Sequence, residues 1–472
     1  MSRPVSLLLL LSLLAIVPAS LTRAQEAGLY EHFDVYDGDN FPRTEYANRR
    51  KQTLEKLKSG EGMLLRSAEV RNRSNDVDYE FRQRNNLLYL TGVTETQSAL
   101  LLLPDGVEID GKRIQEVLFV AERNPTHEIW EGIRMGPEVA AQVTGITTVL
   151  PYDKLAKRLE DLFPTLNKLY YDSWTIESIV DPVVEGEFNW PAIVRSILEE
   201  SELDLEIEDA GTILNGMRAI KSEREIAMMQ KAIDISAEGH REAMRMAKPG
   251  MFEYEFEASM EYAFRRLGAE DPGYPSIIGS GPNTCILHYN TNRRKSLDGE
   301  LVLMDCGAEY HGYSADITRT FPVNGKFTPE QRAIYNLVLE AQTEAIKECK
   351  VGVQFWDPHK KAGQIISSGL VKLGIMKEGD DVRKYFMHGT SHFLGMDVHD
   401  VGDDYTLQPG MVLTVEPGIY IPEGSKCDPK WWNIGVRIED DVLVTKSGSV
   451  NLSAGLERTA DEIERLVGSK RK

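Results

Sequence analysis

Residues 301–330 read LVLMDCGAEYHGYSADITRTFPVNGKFTPE, and this stretch predicts a β-hairpin that leads into a helix. The apolar run Leu301–Met304 is typical of a buried strand, and Ile317–Phe321 is predicted as the returning strand. The Thr-Pro-Glu-Gln pattern at residues 328–331 combines a capping Thr, a Pro in the first helical position and a Gln three residues after the cap. The hairpin is therefore strongly specified by its own sequence.

Two carboxylates are expected to face each other across this hairpin. With the turn centred between Tyr310 and His311, Asp305 pairs with Asp316, and their Cβ atoms lie roughly 5 Å apart. Two half-buried carboxylates at that distance repel each other unless one is protonated or a cation lies between them. The hairpin therefore predicts a site for a cation or a shared proton.

Three further stretches carry residues of the kind that bind metals. His388, His392 and His399 fall within twelve positions, among glycines. Glu416 follows an apolar strand, and Glu439 is predicted inside a strand of alternating pattern. A carboxylate embedded in this way is costly unless it is paired or bound to metal.

Four carboxylates and one imidazole form a candidate ligand set. The set is Asp305, Asp316, His392, Glu416 and Glu439. Oxygen-rich ligation with one imidazole suits Mn²⁺, Co²⁺ or Zn²⁺, and the hard ligands favour Mn²⁺. Because this is more charge than one divalent ion needs, two ions about 3.5–4 Å apart, bridged by carboxylates and a hydroxide, are predicted.

Length and charge limit the other possibilities. A chain of 472 residues is too long for one ordinary core, so two domains are expected. Its formal net charge of −20 argues against a nucleic-acid partner, which favours a basic surface.

The first 24 residues are predicted to be a secretory signal peptide. Arg3 precedes the apolar run Leu7–Val17, and small residues near Ala24 offer a cleavage point. A second cut is possible at residues 17–19. Eleven apolar residues are too few to span a bilayer. We therefore expect export to the periplasm or the medium, and no stable membrane span after processing.

The mature chain is predicted to hold an α/β domain over residues 29–205 and a second, catalytic domain over residues 212–467. The acidic stretch at 199–209 fits a connection between them, and Ser222 with Glu225 predicts the start of a long helix. In the first domain, the predicted strands are Gly62–Leu65, Leu87–Leu90, Leu100–Leu103 and Glu116–Val120, and the predicted helices are Arg49–Leu57 and Leu155–Leu162.

Five motifs make the chain resemble the pita-bread metallopeptidases that act at proline, aminopeptidase P most of all. The motifs are FRQRNNLLYLTG at 81–92, DITRTFPVNGKFT at 316–328, HGTSHFLG at 388–395, TVEPGIYI at 414–421 and GVRIEDD at 435–441. The resemblance covers the second domain fully and the first less sharply. It implies an α/β (α+β) protein, in which a creatinase-like α/β domain precedes a pita-bread catalytic domain.

The resemblance also divides the ligands between two metal ions. It implies that Asp305 and Asp316 hold one ion, and that Asp316, His392, Glu416 and Glu439 hold the other. Asp316 and Glu439 would then bridge the two ions.

Further roles come from the resemblance alone. The substrate-binding positions implied are His288, His388, His399, Tyr274 and Tyr420, and Arg437 matches the arginine that supports the site. A hydroxide bridging the ions would attack the carbonyl of the bond before proline, with His399 stabilising the oxyanion. Glu416 would carry the proton towards the leaving nitrogen.

The resemblance implies a Xaa-Pro aminopeptidase, a hydrolase that releases the first residue of peptides with proline at position two. The alternative is a prolidase, which cleaves Xaa-Pro dipeptides only and more often has Gly where Ser391 stands. Methionine aminopeptidase lacks the first domain, and creatinase uses the fold without metal. A binding protein without catalysis would have lost ligands that this chain retains. A homo-oligomer, dimer or tetramer, is also implied.

Overall fold

Two compact units make up the part of the chain that the structure describes. The structure, a computed structural model, describes residues 40–172, 205–402 and 406–469. The first unit includes the described residues up to Tyr170. From Glu208 onward, within the acidic stretch, the chain belongs to the second unit. The predicted signal peptide lies outside the described residues. Among the described residues, no helix has the length and apolar character needed to cross a membrane.

A six-stranded mixed sheet is the centre of the first unit. The described strands up to Asp209, where the second unit has begun, are β1 (Glu61–Arg66), β2 (Asn72–Ser74), β3 (Val77–Asp78), β4 (Ala99–Ile109), β5 (Lys112–Val120), β6 (Val149–Pro151), β7 (Lys168–Tyr171) and β8 (Glu206–Asp209). The helices are α1 (Arg43–Lys56), α2 (Asn85–Thr91), α3 (Pro125–Glu131), α4 (Gly136–Thr144) and α5 (Leu155–Leu162). The order in the sheet is β6-β5-β4-β1-β7-β8, and β2 pairs with β3 separately. Residues of β1 and the first half of β4 are buried on both faces.

One strand prediction in this unit is wrong. Leu87–Leu90, predicted as a strand, lies in helix α2. A run of four residues cannot show whether the apolar period is two or 3.6, so length and flanking residues must decide. Here Gly92 ends the helix in the left-handed conformation, with φ +72°, and its N–H donates to the carbonyl oxygen of Leu88.

Short antiparallel sheets and long helices form the second unit. The helices are α6 (Gly211–Ala219), α7 (Glu223–Met246), α8 (Glu253–Arg266), α9 (Pro329–Ile346), α10 (Asp357–Lys372) and α11 (Ala460–Leu466). The strands are β9 (Asp271–Pro272), β10 (Ile277–Ser280), β11 (Leu301–Asp305), β12 (Ala308–Tyr310), β13 (Tyr313–Ser314), β14 (Thr318–Pro322), β15 (Val412–Val415), β16 (Gly418–Ile421), β17 (Ile434–Arg437), β18 (Asp440–Thr445) and β19 (Gly448–Asn451). The sheets are β10-β11-β14, β13-β12-β9, β15-β18-β19 and β16-β17.

Both predicted helix starts in the second unit are confirmed. The Ser222 side chain and Glu225 form a reciprocal capping box at the start of α7. Thr328 and Gln331 form the same arrangement at the start of α9. In each case the pair satisfies two backbone N–H groups that have no partner within the helix.

The predicted hairpin forms, but its register is shifted by two residues, because the centre of the turn lies one residue later than predicted. Asp305 pairs with Thr318, not with Asp316, and the two turn residues are His311 and Gly312. Both have positive φ, +49° and +76°, as a two-residue type I′ turn requires. Glycine adopts positive φ without cost, so centring the turn one residue later places Gly312 where the chain needs it.

This register places the two aspartates diagonally on one face of the hairpin. Continuing the pairing beyond Asp305 puts Asp316 opposite Gly307. A Cβ atom at Gly307 would lie 1.8 Å from the carbonyl oxygen of Ala315, so only glycine allows this close approach. The predicted direct pairing was therefore wrong, although both carboxylates still face the same side.

The two remaining glutamates occupy breaks between strands. Glu416 lies between β15 and β16, as predicted from the end of an apolar run, and its N–H donates to the carbonyl oxygen of Thr390. Glu439, predicted inside a strand, lies instead in the break between β17 and β18. Its N–H donates to the carbonyl oxygen of Thr318, which connects this break to the hairpin.

Replacing Gly307 by Ala tests the close approach in the hairpin. The added methyl group must displace the backbone of Ala315, so we expect Gly307→Ala to lower the unfolding free energy by about 1–3 kcal/mol. Calorimetry should show a lower unfolding temperature for the second unit. The control is Gly363→Ala, within α10, where a Cβ meets nothing within 4 Å. This control should be neutral or stabilising by roughly 0.5–1 kcal/mol. Equal effects of the two substitutions would contradict the interpretation.

Candidate metal centre

Tyr274 connects the two aspartates of the hairpin. Its hydroxyl oxygen lies 2.5 Å from Oδ1 of Asp305 and 2.6 Å from Oδ1 of Asp316. Asp305 ends β11 and Asp316 precedes β14, and both are buried. The phenol has a single proton, so the two carboxylates compete for one donor. The hairpin therefore brings two acidic groups to opposite sides of one point.

His392 approaches the same place from a loop. Its Nε2 lies 3.3 Å from Oδ2 of Asp316 and 3.8 Å from Oε1 of Glu416. Its Nδ1–H donates to the carbonyl oxygen of Phe393 at 3.0 Å, so Nε2 is the nitrogen that faces the carboxylates. A backbone acceptor on the far nitrogen is the usual way to orient a metal-binding imidazole.

Glu439 completes a compact group of potential ligands. Asp316, His392 and Glu439 each offer one ligand atom, and these atoms lie within 4.8 Å of one another. Glu439 is almost fully buried, and its Oε2 accepts a hydrogen bond of 2.6 Å from Thr318. These three residues are three of the four ligands predicted for one ion. The fourth, Glu416, lies beside His392.

Burial of the carboxylates, with repulsion among them as a further cause, shows in their acidity. Burial raises the pKa of Glu416 to about 8, against the opposing charge of His392. Burial also raises the pKa of Glu439 well above its usual range, and the charge of Asp316 adds to that effect. Burial likewise raises the pKa of Asp305, although the guanidinium of Arg437 opposes this effect. These acids need positive charge nearby to stay ionised.

In the metal-free protein, His392 supplies part of that positive charge, whereas as a metal ligand it would be neutral and the ion would supply the charge. Burial lowers its pKa, but the hydrogen bond and charge of Asp316 more than reverse this and raise the pKa to about 9. The same contact keeps the pKa of Asp316 below its usual value, although burial acts in the opposite direction. The donor set, four carboxylates and one imidazole in a buried cluster, therefore fits divalent cations.

Arg437 holds the other side of the site. It is buried, and its guanidinium donates to Oδ2 of Asp305 at 2.5 Å, to Oγ1 of Thr318 at 3.1 Å and to the Tyr420 hydroxyl at 2.9 Å. Burial disfavours its charge, but the negative groups around it raise its pKa well above the usual value. It therefore remains a fixed cation that neutralises part of the cluster.

A hydrogen-bonded chain leads from Arg437 to His388. The Nδ1–H of His388 donates to the carbonyl oxygen of Gly389 at 2.7 Å, so its Nε2 accepts from the Tyr420 hydroxyl at 2.8 Å. Burial and the charge of Arg437 lower the pKa of His388 to about 3. This imidazole is therefore neutral at working pH, and its Nδ1 lies 3.5 Å from Oε2 of Glu416.

His399 and His288 lie at the outer edge of the site. Both are exposed, and the His399 ring stacks on the His392 ring with centroids 4.0 Å apart. Burial and the charge of His392 lower the pKa of His399, which favours its neutral form. Repulsion from His288 is a small further contribution to the lowered pKa of His388 and of His399.

The structure thus brings the five candidate ligands together with Tyr274, Tyr420, Arg437, His388 and His399, whereas His288 is exposed and makes none of these contacts. It adds Thr318, which the sequence interpretation missed and which contacts both Glu439 and Arg437. Strand alternation contained a signal for it, because Thr318 follows Asp316 by two positions and faces the same side. Asp441 was also missed: it is buried, and its Oδ2 accepts from the N–H of Asp316 at 3.2 Å.

Comparison with known proteins places the chain among peptidases. Residues 227–446 match metallopeptidase family M24, and residues 46–170 match the aminopeptidase P N-terminal domain. The chain is 39% identical to Xaa-Pro aminopeptidase of Escherichia coli over 451 residues, which cover 91% of this chain and 99% of that protein. It is also 39% identical to the Haemophilus influenzae enzyme of the same name, covering 90% of this chain and 97% of that one.

Solved structures give the same result. Pseudomonas aeruginosa aminopeptidase PepP is similar with a TM-score of 0.83 at 36% identity, covering 90% of this chain and 98% of that one. An alanine variant of E. coli aminopeptidase P in complex with substrate is similar with a TM-score of 0.82 at 38% identity, with the same coverage. The expected α/β pita-bread fold is confirmed by these likenesses.

Thr318→Val tests the support given to Glu439. The substitution preserves shape but removes the donor to Glu439 and the acceptor for Arg437, so we expect metal affinity to fall roughly 10- to 100-fold. Calorimetric titration of metal-stripped protein with Mn²⁺ measures this change.

The matched control is Thr53→Val in α1. The Thr53 hydroxyl is also buried and donates to the carbonyl oxygen of Arg49, far along the chain from the ligands. Metal affinity should be unchanged in this variant. If Thr318→Val binds Mn²⁺ as tightly as the wild type, the hydroxyl does not position the ligands.

Proposed function

The chain belongs to metallopeptidase family M24, and from this membership we propose that it releases the first residue of peptides that have proline at position two. One observation carries the proposal: five candidate ligands and their supporting residues converge in a chain 39% identical to Xaa-Pro aminopeptidase over nearly that enzyme's full length. The peptidase class follows from the family, and the proline specificity is carried over from the relatives.

Two divalent metal ions are proposed as cofactors, with Mn²⁺ favoured over Co²⁺ and Zn²⁺. Asp305 and Asp316 would hold one, and the compact group with Glu416 would hold the other. Carboxylate oxygens dominate this set, and hard oxygen ligands suit Mn²⁺. When bound, such ions supply a Lewis acid and a water molecule ionised near neutral pH.

Glu416 is the proposed proton carrier. In the metal-free protein, burial raises its pKa to about 8. The proton-carrying role itself is carried over from the family resemblance. Neutral His388 lies against its Oε2, and His392 lies on the side of Oε1. Glu416 would take a proton from the attacking water and pass it to the leaving nitrogen.

The outer histidines are proposed to hold the substrate. His399 is exposed beside His392, where an imidazole N–H can donate to the carbonyl oxygen of the bond to be broken. His288, which is exposed, and His388 would contact the peptide, together with Tyr274 and Tyr420.

Proline makes particular demands on such a site. Its φ is fixed near −65°, and its amide nitrogen carries no hydrogen. The nitrogen leaves as an amine only after it gains a proton, so a proton donor must stand beside it. Glu416, next to His388, meets that demand.

Two matched substrates test the function. We expect metal-stripped protein to cleave neither, and protein with Mn²⁺ restored to release the first residue of Xaa-Pro-Yaa. Chromatography of the products gives the rates. Cleavage of the dipeptide Xaa-Pro alone would instead identify the alternative, a prolidase. If neither peptide is cut while two ions per chain are bound, the proline-specific function is wrong.

Export is a further proposal, supported by Arg3 and the apolar run Leu7–Val17. We expect the mature protein to begin near Gln25, as N-terminal sequencing of protein from cell fractions will determine. A protein that retains Met1 and stays with the cytoplasmic fraction would overturn the proposal. A dimer or tetramer is proposed from the family likeness, and light scattering measures it.

A further inference from the structure

A buried ion cluster in the second unit contains none of the candidate ligands. Arg218 donates to Oδ2 of Asp397 at 2.8 Å and to Oδ1 of Asp400 at 2.7 Å, and Lys221 donates to Oδ2 of Asp400 at 3.0 Å. The side chains of Lys221 and Asp400 are each 1% exposed, and that of Arg218 is 5% exposed. We refer to these four residues as the loop clamp.

The two halves of the loop clamp come from distant parts of the chain. Arg218 is in the last turn of α6, and Lys221 lies between α6 and α7, whereas the two aspartates lie about 180 residues later. A Cβ atom at Gly395 would lie 2.1 Å from Oδ2 of Asp400 and 2.9 Å from Cε of Lys221. The loop therefore has glycine where the ion pair needs the space.

Backbone hydrogen bonds close the same loop. The N–H of Asp400 donates to the carbonyl oxygen of Phe393 at 2.9 Å, and the N–H of Gly395 donates to that of Asp397 at 3.1 Å. The N–H of Ser314 donates to the carbonyl oxygen of Gly395 at 2.9 Å, so the loop is also attached to the aspartate hairpin. Residues 393–400 are thus held by backbone on one side and by buried cations on the other.

His399 is the residue that this arrangement presents. It directly precedes Asp400, its side chain is exposed, and its ring stacks on His392 at an interplanar angle of 24°. Stacking of two rings does not fix their lateral position closely, whereas two charge-assisted hydrogen bonds to the adjacent carboxylate fix the backbone. Burial raises the pKa of Asp400, but Lys221 and Arg218 bring it below the usual value, so the carboxylate is ionised.

We propose that Arg218 and Lys221 are positioning residues, which act through Asp400 to hold His399 beside the ligand His392. The inference rests on the proposed function, in which His399 contacts the carbonyl of the bond to be broken. Neither cation touches substrate or metal in this scheme. Their effect on turnover must therefore depend on the presence of the His399 imidazole.

A double-mutant cycle tests that dependence. Lys221→Met keeps the side-chain length and leaves Asp400 paired with Arg218, so no buried charge is left alone. We expect Lys221→Met to lower kcat about 10- to 100-fold, because a displacement of about 1 Å in a catalytic group has effects of this size. In a His399→Ala background the same substitution should cost almost nothing further. If the two losses multiply, the clamp does not act through His399.

A second readout does not need activity. Hydrogen exchange in Lys221→Met should accelerate at the amides of residues 395–400 and stay unchanged in the sheets of the second unit. Faster exchange throughout that unit would show a merely structural role and overturn the proposal. If the wild type cleaves no peptide, the proposed function fails, and local exchange still decides whether the clamp holds this loop.

Two further variants complete the design. Arg50→Met removes a cation of the first unit whose side chain is 1% exposed and paired with Glu116, so it should lower stability without changing kcat. Asp397→Asn is the second probe of the clamp, to be used if Lys221→Met does not fold. The Asp397 side chain is half-exposed, so we expect this variant to fold. It should give a smaller loss of kcat, which also disappears without His399. A loss of the same size in Arg50→Met would overturn the proposal.

Discussion

The constraint on which the second unit depends is the meeting of four carboxylates at one point, three of them buried and Glu416 partly exposed. Burial raises the pKa of Asp305, Glu416 and Glu439, so the site is stable only with positive charge close to it. The chain supplies Arg437 for this purpose, and His392 adds charge only while it is protonated and free of metal; the family implies divalent cations for the remainder. A core of this kind favours function over stability, since apolar residues of equal volume would pack without that cost.

The surrounding structure explains how such a cluster is held in place. Asp305 ends a strand and keeps its sheet partners, whereas Glu416 and Glu439 lie in breaks between strands, where their backbone N–H groups donate to Thr390 and Thr318. Thr318 and Tyr274 donate to the carboxylates, and the hairpin permits both contacts because Gly307 lets the strands approach. The loop clamp extends the same principle outward, with buried cations from one segment fixing a loop from another.

Sequence patterns predicted these features unequally. Capping boxes at Ser222 and Thr328 are local, so four residues were enough to place both helix starts. The run Leu87–Leu90 was too short to reveal its period and was wrongly taken for a strand. The hairpin register was missed because it depends on which residues adopt positive φ in the turn, and a turn centred between Tyr310 and His311 ignored the advantage of Gly312.

The sequence by itself determined the identity of the chemical groups: four carboxylates in or beside predicted strands and a histidine among glycines, in motifs that resemble those of aminopeptidase P. Only the tertiary structure decided how these groups meet. It placed Asp316 diagonally from Asp305, moved Glu439 into a break between strands, and joined Lys221 to Asp400. The physical reason is that side-chain chemistry and local periodicity are properties of short segments. Distances between carboxylates, and the cations that neutralise them, depend on contacts between segments far apart in the chain.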